Sequence, residues 1–146
     1  MLTKSFPKKE EVVFLACEDI RTEAGGQHTF VGTYTGGGLL VKTQPAENAA
    51  IKSLSFFLQF PNLEPGSYKC RIEVVLPDGE VAGRATQDGD VLKPVSPLLR
   101  SALVIVLNFT PFPIQVGQYK IRAVIDDERY EWDFPVVLTT ASASAQ

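Results

Sequence analysis

A strict two-residue alternation runs through residues 68–75, whose sequence is YKCRIEVV. Every second side chain from Tyr68 to Val74 is apolar, and the side chains between them are charged, which is the period of a half-buried β-strand. A Pro-Asp-Gly turn at 77–79 ends the segment. Similar segments recur between clusters of Gly, Pro, Asn and Asp, and no long segment has helical spacing. We therefore predict an all-β chain.

The other predicted strands differ in how deeply they are buried. Residues 102–109 are apolar on both faces, so we expect a central, fully buried strand. The Ala-rich stretch 44–52 predicts one short helix at most. Residues 87–90 predict a turn, and the proline-rich residues 93–97 predict a connector between two halves of the chain. Beyond 68–75 and 102–109, strands are predicted at 12–17 running on toward Ile20, 29–34, 53–60 with one inward face, 80–85, 118–125 and 129–136.

The two halves of the chain share the motif Gly-x-Tyr-Lys-x-Arg, at 66–71 and 117–122. A glycine permits the bend that enters the strand, and an inward tyrosine ring lets its hydroxyl bond backbone upstream. This is the tyrosine corner of Greek-key sandwiches. We predict an immunoglobulin-like, Greek-key antiparallel β-sandwich of about seven to nine strands. The predicted corner residues are Gly66, Tyr68, Gly117 and Tyr119.

Length and charge limit the organisation and the partners. A chain of 146 residues fits one domain, which we place at 11–138 between an N-terminal arm at 1–10 and a disordered tail at 139–146. A net charge of -3 provides no general attraction for nucleic acid or an anionic membrane, so we expect neither as a partner. The first ten residues lack the apolar stretch of a secretory signal, which favours a cytoplasmic location.

Few residues suit catalysis or metal binding. Cys17 and Cys70 lie in no zinc-type spacing, and we expect two buried free thiols rather than a disulfide, although Tyr68 precedes Cys70 with the immunoglobulin spacing. His28 is the one histidine, beside a Gly-Gly turn, and no nucleophile elbow accompanies it. We therefore predict a non-enzymatic protein with no catalytic residue, no metal and no cofactor.

Four outward cations on two predicted strands suggest a contact surface. They could form a cationic stripe for a phosphate or an acidic partner. The alternative is a solvated sheet face neutralised by Glu73 and Glu131. The members of this predicted stripe are Lys69, Arg71, Lys120 and Arg122.

Turn acids and aromatic residues keep a ligand-binding function open. Loops at one end of a sandwich can bring carboxylates together around calcium, although turns favour Asp beside Gly for their own reasons. Tyr130, Trp132 and Phe134 alternate on one face, where they fill the core or stack on a sugar at an exposed end. The turn acids are Asp78, Asp88, Asp90, Asp126, Asp127 and Glu128.

Residues 14–34, FLACEDIRTEAGGQHTFVGTY, combine a strand with an acidic pair, a Gly-Gly turn and a returning strand that ends Gly-x-Tyr. This segment resembles the DUF6941 type of bacterial domain, a family of unknown function, although Gln27 stands where a lysine is expected. The turn at 77–79 and the strand entry at 117–119 fit as well. The resemblance implies a small cytoplasmic β-sandwich of bacterial or prophage origin, and it brings no functional residues.

Two functional hypotheses follow. The first is a non-enzymatic interaction or structural module that pairs with itself or another protein through a sheet face or an edge strand. The second is a sandwich that binds carbohydrate or a calcium-dependent target.

Overall fold

The computed structural model describes residues 4–139, and it confirms an all-β chain. One turn of 3-10 helix at Lys9–Glu11 precedes the strands. Their number exceeds the predicted seven to nine because three of them are only two or three residues long. The strands are β1 (Val13–Thr22), β2 (His28–Thr33), β3 (Leu39–Val41), β4 (Ala50–Ile51), β5 (Leu54–Pro61), β6 (Gly66–Val75), β7 (Val81–Val91), β8 (Ala102–Phe109), β9 (Phe112–Pro113), β10 (Gly117–Ile125) and β11 (Glu128–Leu138).

The strands form two main sheets. The first sheet has the order β2-β1-β5-β8, with every neighbouring pair antiparallel. The second has the order β3-β11-β10-β6-β7, also antiparallel except that β3 runs parallel to β11. Strands β4 and β9 form a separate two-stranded ladder. The chain passes between the two main sheets at β2 to β3, β3 to β5, β5 to β6, β7 to β8 and β8 to β10. The segment 93–97, predicted to connect two halves of the chain, lies in the crossing from β7 to β8.

One core fills the space between the two sheets. Phe56 of β5 lies edge-on to Phe134 of β11 with ring centroids 5.5 Å apart, and Phe60 packs against Trp132 at 6.3 Å. Alternate residues of both sheets contribute to this single cluster of buried side chains. Trp132 is 7% exposed and Phe134 is fully buried, so the aromatic row of β11 belongs to the core.

Both motif tyrosines point into the core and hydrogen-bond backbone upstream. The Tyr119 hydroxyl donates to the carbonyl oxygen of Pro113 at 2.8 Å and accepts from the Gln115 N–H at 2.8 Å. The Tyr68 hydroxyl donates to the carbonyl oxygen of Glu64 at 2.6 Å. Each tyrosine therefore fixes the loop that leads into its own strand.

The two motif glycines share a backbone conformation but not their surroundings. Gly66 has φ 147° and Gly117 has φ 138°, values that L side chains rarely adopt. A Cβ on Gly117 would lie 2.7 Å from the Cβ of Pro77, whereas a Cβ on Gly66 would meet nothing within 4 Å. The second copy of the motif therefore requires glycine for two reasons and the first for one.

The predicted helix at 44–52 is wrong. This stretch holds a turn, in which the Ala49 N–H donates to the Ala46 carbonyl, followed by β4. Asn48 adopts φ 63°, which ends any helical run, and Ile51 pairs with Phe112. Tertiary pairing and a left-handed residue override the weak helix propensity of the alanines.

The predicted turn at 87–90 is also wrong, because β7 continues to Val91 and pairs with β6 along its whole length. Gly89 in this stretch is no turn residue: a Cβ there would lie 2.6 Å from a methyl group of Leu103. It is glycine because a core side chain of the other sheet approaches its backbone.

The predicted burial of β5 and β8 is wrong for both strands: β8 was expected to be central and β5 to have one inward face. Strand β8 lies at an edge of the first sheet and is only half-buried, whereas β5 lies inside the sheet and is buried on both faces. The two apolar faces of 102–109 therefore have different environments. One faces the core, and the other faces outward.

The N-terminal arm packs on one end of the sandwich. Phe6 lies edge-on to Tyr68, and the Tyr130 hydroxyl donates to the Pro7 carbonyl at 2.7 Å. The ammonium of Lys4 is 4.0 Å from the Tyr68 ring centroid and 3.2 Å from a carboxylate oxygen of Asp126. The predicted tail lies outside the described residues except for Thr139. The N–H of Thr139 donates to the carbonyl of Val41, the last residue of β3.

Candidate interaction surfaces on the two sheets

The outer face of the second sheet carries paired charges. Lys120 lies 2.6 Å from Asp133, and Arg122 lies 2.9 Å from Glu131. Hydrogen bonding to Asp133 raises the pKa of Lys120, and hydrogen bonding from Arg122 lowers the pKa of Glu131. Two of the four predicted stripe residues are therefore bound to carboxylates of β11.

The other half of the predicted stripe lies on β6. Lys69 and Arg71 are exposed, and neither forms an ion pair within residues 4–139. Glu73, expected to neutralise the stripe, accepts instead from Arg84 of β7 at 2.7 Å. The structure thus brings the four cations onto one face, but as part of a mixed ladder of both signs rather than as a free cationic stripe.

The outer face of the first sheet is different in kind. Cross-strand pairing aligns Leu15, Phe57 and Val106 in one row, and Val13, Gln59 and Val104 in the next. We call the apolar surface made by these rows and by Phe30 of β2 the first-sheet face. No charged residue lies in either row. Its apolar members are Val13, Leu15, Phe30, Phe57, Val104 and Val106.

Side chains of β2 partly cover this face. Phe30 stands perpendicular to Phe57 with centroids 4.9 Å apart, and His28 lies edge-on to Phe57 at 5.5 Å. Phe57 is consequently only 5% exposed although it points away from the core. The imidazole Nδ1 of His28 lies 3.3 Å from the Thr22 hydroxyl, so the histidine belongs to the border of the first-sheet face.

The two cysteines lie in separate environments. Cys17 is fully buried beside Phe57, and its thiol donates to the Asp19 carbonyl at 3.3 Å, whereas Cys70 lies in the central core. Burial raises the pKa of both thiols. Both are free thiols.

A second apolar surface lies on the connector between β7 and β8. Leu92, Val95, Leu98 and Leu99 are exposed, Val95 by 95% and Leu98 by 90%. A turn holds them: Ser96 accepts the Leu98 N–H on its hydroxyl at 3.1 Å and the Leu99 N–H on its carbonyl at 3.1 Å. This connector joins β7 of the second sheet to β8 of the first.

Two of the turn acids, Asp78 and Asp126, have hydrogen-bond partners in separate parts of the fold. Asp78 accepts from the Glu80 N–H at 2.9 Å and from the Gln115 amide at 3.1 Å, which is turn chemistry. Asp126 accepts from the Lys69 N–H and pairs with Lys4. Within residues 4–139 no group of three His, Cys, Asp or Glu side chains is placed to hold a metal ion.

One open cleft of about 620 Å³ lies at the opposite end of the sandwich from the arm, between the 44–49 loop and the turns at 76–80 and 113–116. Sequence reasoning missed it, since the 44–52 stretch was expected to be helical. Across residues 4–139 there is also no helix of the length and apolarity needed to cross a bilayer.

Sequence reasoning missed the first-sheet face as well, although a signal was present. Residues 53–60 and 102–109 carry apolar side chains at both odd and even positions. In a two-sheet protein only one face of each strand meets the core, so an edge strand that is apolar on both sides predicts an uncovered apolar face. The error was to treat the second face as evidence of depth.

Comparison with known proteins gives a family and no activity. No curated protein matches the sequence. A family profile described as "Family of unknown function (DUF6941)" matches residues 12–137, from before β1 to the last but one residue of β11. The chain therefore belongs to the DUF6941 family.

Proposed function

We propose that the protein is a non-enzymatic interaction module that binds protein through its first-sheet face. The observation that carries the proposal is the row of Leu15, Phe57 and Val106, three apolar side chains across three strands on the side of the sheet that faces away from the core. Outer faces of antiparallel sheets in sandwiches normally carry polar residues. Contiguous apolar surface rimmed by polar residues is typical of contact sites.

The contrast between the two outer faces supports the proposal. The second sheet covers its outer side with ion pairs such as Lys120 to Asp133, which keep that side hydrated. The first sheet has half-buried Leu15, Val104 and Val106 instead. Burial of apolar area contributes about 25 cal/mol per Å², so covering these side chains favours association.

The same residues argue for contact rather than chemistry. His28, which any histidine-dependent site would use, packs on Phe57 and bonds Thr22. The aromatic row of β11, which a sugar-binding function would need at the surface, lies in the core. A calcium site would need acids that converge, and Asp78 and Asp126 serve different turns. The interaction module is therefore the function that the geometry favours.

We further propose that the fold is immunoglobulin-like. When β1, β5 and β8 are labelled A, B and E, and β6, β7, β10 and β11 are labelled C, C′, F and G, the sheets read A-B-E and G-F-C-C′. That partition is the one found in immunoglobulin-type sandwiches, which also place a tyrosine corner near the start of F, where Tyr119 lies. Two free buried thiols support a reducing, cytoplasmic compartment. A bacterial origin rests on the resemblance alone.

Site-specific photo-crosslinking in the native host tests the proposed function. A photoreactive amino acid at Leu15 or at Val106 should give protein adducts, because both positions lie on the first-sheet face. Val124 is the matched control: it is a half-buried valine that points outward from the second sheet. Adducts at Val124 with none at Leu15 or Val106, or no adduct at all three positions, would overturn the proposal.

A further inference from the structure

We infer that the occupant of the first-sheet face is a second copy of this chain, packed face to face as a symmetric dimer. This inference rests on the proposed interaction function and adds the identity of the partner. In a two-fold dimer the same patch contacts itself, so each of its properties must be self-complementary. The charge, the polar groups and the size of the face satisfy that condition.

The face brings no like charges together. Charged residues are absent from the row of Leu15, Phe57 and Val106 and from the row of Val13, Gln59 and Val104. A net charge of -3 makes two copies repel weakly at long range, but no charge has to be buried when these rows meet. Interfaces between identical subunits are more apolar than other protein contacts, as this face is.

The polar groups on the face are compatible with a second copy. The Ser55 hydroxyl donates to the Asn108 side chain at 2.5 Å, so this polar pair is already satisfied within the chain. Gln59 is half-buried between Val13 and Val104, and an amide both donates and accepts hydrogen bonds. The amides of two copies can therefore pair with each other, which two like charges could not do.

The area of the face is sufficient for a specific dimer. Strands β2, β1, β5 and β8 have 6, 10, 8 and 8 residues, and at about 3.3 Å per residue and about 4.8 Å between strands their outer side has an area of about 500 Å². Each copy then covers about 500 Å² in projection, and two copies remove about 1,000 Å² from water, which is where specific interfaces begin. Sheets stack face to face at about 10 Å, a distance that apolar side chains such as Phe30 and Val106 fill.

The edge position of β8 explains why the pattern was misleading. A strand that is apolar on both sides ordinarily lies between two covering layers. Strand β8 has Ile105 in the core and Val104 and Val106 outward, with no covering layer supplied by residues 4–139. A second first-sheet face provides the missing layer, and the two main sheets of each copy then form a four-layer stack.

Sedimentation equilibrium of the purified full chain tests the inference. The wild type should have twice the 16.0 kDa chain mass and dissociate on dilution. Val106→Lys and Val13→Lys each place a charge in the contact and should raise the dissociation constant at least a hundredfold. The measured mass of each variant should then be about 16.0 kDa at the concentration where the wild type is dimeric. Val13 is already 41% exposed in one copy, so its substitution keeps the fold testable if Val106→Lys does not fold.

Val81→Lys is the matched control. Val81 is 44% exposed and also starts a strand, but it lies at the edge of the second sheet, so the mass should stay at the dimer value. A wild-type chain of 16.0 kDa at its highest concentration, or a dimer that survives both face variants, would overturn the inference. In the crosslinking experiment, adducts of Leu15 with other proteins alone would keep the proposed function while refuting a second copy as the partner.

Discussion

Replacing Tyr119 by phenylalanine removes a hydroxyl that makes two hydrogen bonds at the entry to β10. The hydroxyl accepts from the Gln115 N–H and donates to the Pro113 carbonyl, both at 2.8 Å, while the ring is fully buried. An unsatisfied buried polar group costs about 1–3 kcal/mol. Gln115 and Pro113 are half-buried, so the cost of leaving each backbone group unpaired should be near the lower end of this range. The variant should lose about 2 kcal/mol of unfolding free energy.

Two other tyrosines of the chain calibrate this value. Tyr68→Phe removes one hydrogen bond, to the carbonyl of the exposed residue Glu64, which water can replace, so we expect a loss of about 0.5–1 kcal/mol. The hydroxyl of half-buried Tyr34 makes no hydrogen bond to any residue of 4–139, and Tyr34→Phe should change stability by less than about 0.5 kcal/mol.

Urea unfolding followed by tryptophan fluorescence measures all three variants, since Trp132 lies in the core. The m-value should stay constant, because the same surface is exposed on unfolding. The expected order of loss is Tyr119→Phe, then Tyr68→Phe, then Tyr34→Phe. A loss for Tyr119→Phe no larger than that for Tyr34→Phe would refute the role assigned to the tyrosine corner.

Further stability predictions follow from backbone conformation and from ionisation. Gly66→Ala should lower the unfolding free energy by about 1 kcal/mol because alanine disfavours the positive φ. Gly117→Ala should lower it by about 1–3 kcal/mol more, because its Cβ would also meet Pro77. Equal losses for the two variants in urea unfolding would contradict this reasoning. Burial raises the pKa of Asp126, but hydrogen bonds from the backbone and Lys4 outweigh it and the net shift is downward, so stability should fall as pH drops below about 4. Lys4→Met should make that fall in unfolding free energy less steep. An unchanged dependence of stability on pH below 4 would exclude the contact between Lys4 and Asp126. Burial raises the pKa of Tyr130 from 10.0 to about 12, so its stabilising contribution should be lost as pH rises from 10 to 12 and should be absent in Tyr130→Phe, as measured by alkaline unfolding.

Local pattern predicted the all-β class and most of the strands correctly. The alternation at 68–75 and the repeated Gly-x-Tyr motif located strands β6 and β10, because a period of two and a required positive φ are local properties. Long-range contacts explain the errors. Gly89 resembled a turn residue, but a side chain from the other sheet determines it, and Asn48 and a β-bridge ended the helix expected at 44–52.

The candidate surface was harder to predict than the strands. Alternation placed Lys120 and Arg122 on one outward face correctly, but it could not show that β11 would supply Asp133 and Glu131 as their partners. Sheet order is a global property, so the edge position of β8 was not visible in its own residues. The apolar outer face consequently emerged only when strand order and side-chain direction were combined.

The most direct test of self-association through the first-sheet face is a dilution series of amide NMR spectra on the wild-type chain. Self-association should shift the amide signals of β1, β5 and β8 with concentration, strongest around Leu15, Phe57 and Val106, and leave those of β6 and β10 in place. Spectra that do not change with concentration, or shifts confined to the second sheet, would contradict self-association through this face.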